Sequence, residues 1–88
     1  MTPEQESLRN MFQAYVRTSN ILSLRDRWQD EKEYEDFQSY KILIANGLEK
    51  AGYEVLGITK AFKITVRKEN TIMVAKVGLR SFSIELFV

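Results

Sequence analysis

The spacing of apolar residues changes at Gly52 from a helical period to a strand period, and this change limits the possible folds more than any other feature. Before Gly52, apolar residues recur at intervals of three and four, which places them on one face of a helix. After Gly52 they largely alternate with polar residues, as in strands that bury one face. Helices followed by strands predict an α+β fold.

The beginning of the first helix is marked by the sequence Thr2-Pro3-Glu4-Gln5. Thr2 can cap the helix, Pro3 suits the first helical position, and Gln5 completes a capping box. We expect this helix to end or bend between residues 18 and 24, because polar side chains there compete for backbone hydrogen bonds.

A second helix is predicted to end at Gly52, since glycine readily adopts the left-handed conformation that closes a helix. Its start remains open between two capping boxes, Asp30 with Glu33 or Ser23 with Asp26. The helical part is therefore interpreted as two helices or one bent helix.

Four short strands are predicted after Gly52, at Tyr53–Ile58, Phe62–Arg67, Ile72–Val77 and Phe82–Phe87. Their short connections join antiparallel neighbours. We expect residues 1–88 to form a single α+β domain, in which the helices of 1–51 pack on a β-meander of three or four strands in 52–88.

The register of the second and third strands decides which side chains face the helices. A turn of two or four residues around Glu69-Asn70 places Val66 opposite Met73 and leaves Ile72 and Val74 on the outer face. A three-residue turn would exchange the two faces of the third strand. In both registers the third strand contributes apolar residues to both faces.

Composition removes several classes of function. The chain has neither cysteine nor histidine, which excludes disulfides, thiol nucleophiles, histidine bases and the usual zinc ligands. We therefore expect no catalytic site, no metal site, no cofactor and no small-molecule substrate. The carboxylates between Asp26 and Asp36 are interleaved with Arg25, Arg27 and Lys32, as in solvated surface ion pairs. The chain shows neither a signal peptide nor an apolar run long enough to span a membrane, so we expect a cytoplasmic protein.

Basic residues are concentrated in the second part of the chain, where residues 60–80 contain six lysines and arginines and one acidic residue, Glu69. Alternate strand residues project to one side, so they could contact a phosphate backbone. Binding of nucleic acid is accordingly one hypothesis, and its candidate residues are Lys63, Thr65, Arg67, Lys76 and Arg80. The alternative is that these side chains only keep the face solvated and protect against edge pairing.

Apolar residues among these basic ones favour a protein partner. An exposed patch of this kind usually binds something, and small domains often dimerise. The preferred hypothesis is a small non-catalytic protein–protein interaction module, regulator or inhibitor that self-associates through the outer face of its sheet. Its predicted interface residues are Ile72, Val74, Phe87 and, if exposed, Trp28.

Overall fold

The computed structural model describes residues 2–28, 34–78 and 81–87. Within these ranges three helices precede four strands, which confirms the α+β class. The elements are α1 (Pro3–Thr18), α2 (Ile21–Arg27), α3 (Tyr34–Lys50), β1 (Glu54–Ile58), β2 (Lys63–Lys68), β3 (Thr71–Val77) and β4 (Phe82–Phe87). The described part thus has one helix more than the two predicted, and none of its helices is long and apolar enough to cross a membrane.

The additional helix arises from a break between α1 and α2. The predicted capping box is present, with the Thr2 and Gln5 side chains bonded to each other's backbone N–H groups. At the other end, the Ser19 hydroxyl donates to the Val16 carbonyl and accepts from the Ile21 N–H. This local bonding ends α1 within the predicted range, and the chain then resumes as α2 because Ile21 and Leu24 enter the core.

The predicted start of a helix at Ser23 and Asp26 is wrong, since both residues lie inside α2. The other proposed start, Asp30 with Glu33, lies outside the described residues. The predicted end of α3 is confirmed. Gly52 has a φ of 94°, and the Tyr53 N–H donates to the Leu48 carbonyl, which is the hydrogen bond of a Schellman motif.

The strands form one antiparallel sheet in the order β1-β2-β3-β4. Glu69 and Asn70 form a two-residue turn with φ values of 52° and 65°, as in a type I′ hairpin. This turn places Val66 opposite Met73, so the register predicted from a two-residue turn is confirmed and the three-residue alternative is wrong.

The described helices pack on one face of this sheet, which we call the inner face. Helix α1 lies against β3 and β4, and α3 lies against β1. Buried residues of all three helices join the inner-face residues of the strands in one core, whose fully buried members include Phe12, Val16, Leu48, Phe62, Ile64, Val66, Met73 and Ala75. The opposite face, which we call the outer face, is not covered by the described helices, so exposed side chains lie there.

Candidate functional site

The outer face of the sheet consists of three rows of neighbouring residues on adjacent strands. The first row is Glu54, Arg67, Ile72 and Phe87; the second is Gly57, Thr65, Val74 and Glu85; the third is Lys63, Lys76 and Ser83. The first row thus combines one ion pair with apolar residues, whereas the third contains two lysines side by side.

The exposed apolar patch predicted at Ile72, Val74 and Phe87 needs correction. Val74 is on the outer face but only 3 % exposed, and Ile72 is partly buried. Val74 has a short side chain, and its four nearest neighbours on this face are longer or equally bulky, so they cover it. The side chain of Phe87 lies outside the described part of the structure. Of these three predicted residues, Ile72 is therefore the one whose side chain the structure shows as partly accessible, and it lies in the first row near the Glu69-Asn70 turn.

The outer face also carries two ion pairs. The Arg67 guanidinium binds the Glu54 carboxylate through both Nε and Nη2, each at 2.8 Å from an oxygen. Lys76 Nζ lies 3.1 Å from Glu85 Oε1. In both pairs the side chains are about half exposed. Because their positive charges are matched by neighbouring carboxylates, Arg67 and Lys76 attract a polyanion less than the sequence alone indicates.

Trp28 is a core residue, contrary to its predicted place in an interface. It is 5 % exposed, and its ring lies 5.3 Å from the ring of Phe37 and 6.4 Å from that of Tyr40, measured between centroids. The charged residues around Trp28 in the sequence suggested exposure. The end of α2 at this residue instead turns the indole towards α3, where aromatic packing stabilises it.

A cleft of about 580 Å³ adjoins the third row, at the end of the sheet away from the Glu69-Asn70 turn. We call it the basic cleft, and the residues that line it are Arg25, Ala61, Lys63, Lys76, Val77, Gly78, Ser81, Phe82 and Ser83. Three of these are cations, and no carboxylate is among the lining residues that the structure describes. Of the residues predicted to bind nucleic acid, the structure brings Lys63 and Lys76 together, while Arg80 lies outside the described ranges.

Arg25 was missed by the sequence analysis, which grouped it with the solvated ion pairs of a charged helix. Its Nε donates to the Val77 carbonyl and its Nη1 to the Trp28 carbonyl, both at 3.1 Å. The guanidinium carbon lies 5.4 Å from the centre of the Phe62 ring. Because Val77 is 52 residues away along the chain, no local pattern could have indicated this position.

Phe62, which supports Arg25, has an unusual backbone conformation. Its φ of 56° is left-handed, although the residue is bulky and fully buried. It ends a short loop between β1 and β2 in which Thr59 bonds the backbone of both Phe62 and Lys63. Such a conformation costs about 1–3 kcal/mol in a residue other than glycine. The burial of the ring under Arg25 and beside Phe37 offsets this cost.

No group of three or more acidic residues in the described part is arranged to hold a metal ion. Several carboxylates of the charged segment, Asp30, Glu31 and Glu33, lie outside the described residues.

Compared with known proteins, the chain matches no family model, no curated protein and no solved structure. What it can do therefore has to be inferred from its own residues.

Proposed function

We propose that the protein is a non-catalytic interaction module that associates with a second copy of itself through the outer face of its sheet. The observation that carries this proposal is the position of the helices. All the described helices pack on the inner face, so the outer face presents Ile72 beside the Glu54–Arg67 ion pair, with the Lys76–Glu85 ion pair farther along the same face. A partly accessible aliphatic side chain surrounded by polar groups is a common arrangement in protein interfaces.

A second copy suits this face because both signs of charge are present on it. The carboxylates of Glu54 and Glu85 are on the edge strands β1 and β4, while Arg67 and Lys76 are on the central strands. In a two-fold dimer the same patch meets itself, so the edge carboxylates of one copy can lie near the central cations of the other. A domain of 88 residues also gains stability by covering apolar surface in a dimer.

Sedimentation velocity over a range of protein concentrations tests this proposal. We expect the wild-type chain to change from monomer to dimer as concentration rises. The substitution Ile72→Lys should weaken the dimer about tenfold or more, because it places a charge at the centre of the buried area. Circular dichroism should show the same secondary structure in both proteins.

The matched control is Ile42→Lys on α3, where the isoleucine is 59 % exposed and outside the sheet. This variant should dimerise like the wild-type chain. A wild-type chain that stays monomeric at the highest concentration, or two variants that weaken the dimer equally, would contradict the proposal.

Nucleic-acid binding is the second candidate function, and the observation that favours it is the convergence of Lys63 and Lys76 at the basic cleft. The pairing of Arg67 with Glu54 and the partial burial of Thr65 weigh against contacts along the rest of β2. A mobility shift with single-stranded oligonucleotides at low salt tests it, and the shift should decrease steeply as salt is added.

A further inference from the structure

We propose that the basic cleft is a binding site for a single phosphate group, carried either by a small phosphorylated molecule or by a nucleic-acid backbone. The site differs from the dimer surface proposed above, which is centred on Ile72 in the first row. Lys76 belongs to both surfaces, but the dimer is tested at Ile72 and the cleft at Lys63, so the two proposals can fail separately.

The charges of the cleft favour an anion. Arg25, Lys63 and Lys76 reach one cleft from three different elements, α2, β2 and β3, although Glu85 partly matches the charge of Lys76. Arg17 lies nearby, with its guanidinium carbon 5.5 Å from the centre of the Phe82 ring, and Phe82 is itself a lining residue. A concave site with one sign of charge concentrates ions of the opposite sign.

The cross-strand position of Lys63 opposite Lys76 is a specific indication of an anion site. The two residues are directly opposite each other on neighbouring strands, where like charges destabilise a sheet. Glu85 neutralises Lys76 from the β4 side, whereas Lys63 forms no ion pair with a carboxylate of the described residues. An anion between the two lysines would turn this repulsion into two attractive contacts.

The hydrogen-bonding groups of the cleft also suit phosphate. Ser81 and Ser83 line the cleft, and a serine hydroxyl can donate to a phosphate oxygen. Ser83 is directly opposite Lys76 in the third row, so a donor and a cation are adjacent. Serine hydroxyls together with lysine and arginine cations are common partners of phosphate groups in proteins.

Arg25 is held in place before any ligand arrives. Two backbone carbonyls accept from its guanidinium, and the ring of Phe62 packs beneath it. Such fixing reduces the side-chain entropy that binding would otherwise cost. The strained backbone of Phe62 is consistent with this role, since strain of this kind is often found at binding sites.

NMR titration of the ¹⁵N-labelled chain with sodium pyrophosphate tests the site, with sodium chloride at equal ionic strength as the reference. We expect saturable amide shifts confined to the cleft, at Lys63, Lys76, Gly78, Ser81 and Ser83. Lys63→Gln should weaken binding about tenfold, because it removes one charge-assisted contact. Lys63 is exposed, so this variant should keep its fold.

Lys50→Gln is the matched control, since Lys50 is an exposed lysine at the end of α3 and is not part of the cleft. It should change the affinity less than about twofold. Equal weakening by both variants, or shifts spread over lysines throughout the chain, would overturn the proposal, because either result indicates general attraction of anions. Failure of both pyrophosphate and an oligonucleotide to bind would also overturn it.

A second titration with a twelve-residue oligothymidylate distinguishes the two sources of the phosphate. Tighter binding of the oligonucleotide than of pyrophosphate, lost in Lys63→Gln and steeply dependent on salt, would assign the site to a nucleic-acid backbone. Binding of pyrophosphate without the oligonucleotide would assign it to a small phosphorylated molecule. The sedimentation experiment measures dimerisation through the outer face and not phosphate binding, so either proposal can fail while the other succeeds.

Discussion

The two faces of the sheet share one backbone but hold their side chains in different ways. On the inner face, Ile64, Val66 and Met73 are fully buried by the helices. On the outer face, the side chains contact mainly one another, through the ion pairs Glu54–Arg67 and Lys76–Glu85. The inner face therefore depends on long-range packing, whereas the outer face is assembled from neighbours within the sheet.

Because of this difference, the inner face determines the stability of the fold, while the exposed part of the outer face is available for binding. Removing atoms from a closed core leaves a cavity, because the surroundings relax only in part. Exposed ion pairs contribute little to stability, since water and salt weaken them. The exposed charged positions of the outer face can therefore change in sequence at small cost to the fold, which is what a binding surface requires.

The largest difference between the faces should appear when neighbouring residues of β2 are truncated. Ile64→Ala removes a fully buried side chain and should lower the free energy of unfolding by about 2–4 kcal/mol. Thr65→Ala, on the outer face, should lower it by less than about 1 kcal/mol. Urea denaturation followed by circular dichroism measures both, and similar losses would show that the outer face is packed like a core.

The sequence predicted this division of β2 because the causes are local. Alternation fixes which residues of a strand share a face, and a two-residue turn fixes the register with the next strand. The opposition of Val66 and Met73 was one of the two registers that residues 62–77 allowed, and the two-residue turn of the structure selects it. The capping box at Thr2 and the end of α3 at Gly52 were predicted for the same reason.

The parts of the site that were not predicted depend on contacts between distant residues. The place of Arg25 follows from its bond to the Val77 carbonyl, and that of Trp28 from packing against Phe37 and Tyr40 across the charged segment. The burial of Val74 depends on side chains from β2 and β4 as well as its own strand. Periodicity gives the direction of a side chain but not the size of the neighbours that cover it.

Val74→Ala tests whether neighbours within a sheet can build a packed site without helices. Val74 is almost as buried as the core residues although it faces outwards. Removing two buried methyl groups should lower the free energy of unfolding by about 1–2 kcal/mol, less than Ile64→Ala. A loss below about 0.5 kcal/mol in urea denaturation would mean that its neighbours close over the gap and that the outer face is easily deformed.

Alkaline pH should lower the stability of the core beneath the inner face, because two tyrosines there ionise. Tyr53 is buried in the core, and its ring centre lies 5.9 Å from that of Tyr15. Burial raises the pKa of both phenols above the ordinary value of 10.0, and the charge of Tyr15 raises that of Tyr53 further. As pH rises through 10, the unfolded chain therefore loses these protons first, and the free energy of unfolding decreases.

Melting temperatures measured between pH 7 and pH 11 should follow this decrease. Tyr53→Phe keeps the aromatic packing but removes one ionising group, so its melting temperature should fall less over the same range. If the melting temperatures of the variant and the wild-type chain fall in parallel with pH, the loss of stability at alkaline pH comes from other groups, such as the lysines.

The smallest effect is expected from the ion pair between Glu54 and Arg67 on the outer face. A double-mutant cycle with Glu54→Ala, Arg67→Ala and both together should give a coupling energy of about 0.2–1 kcal/mol, because both side chains are about half exposed. The two-point contact of Arg67 favours the upper part of this range. Sodium chloride at 1 M should reduce the coupling, since exposed charges are then screened within about 3 Å. A coupling energy above about 2 kcal/mol that persists in salt would instead show that the outer face is shielded from water. A second copy of the chain bound to this face would provide such shielding.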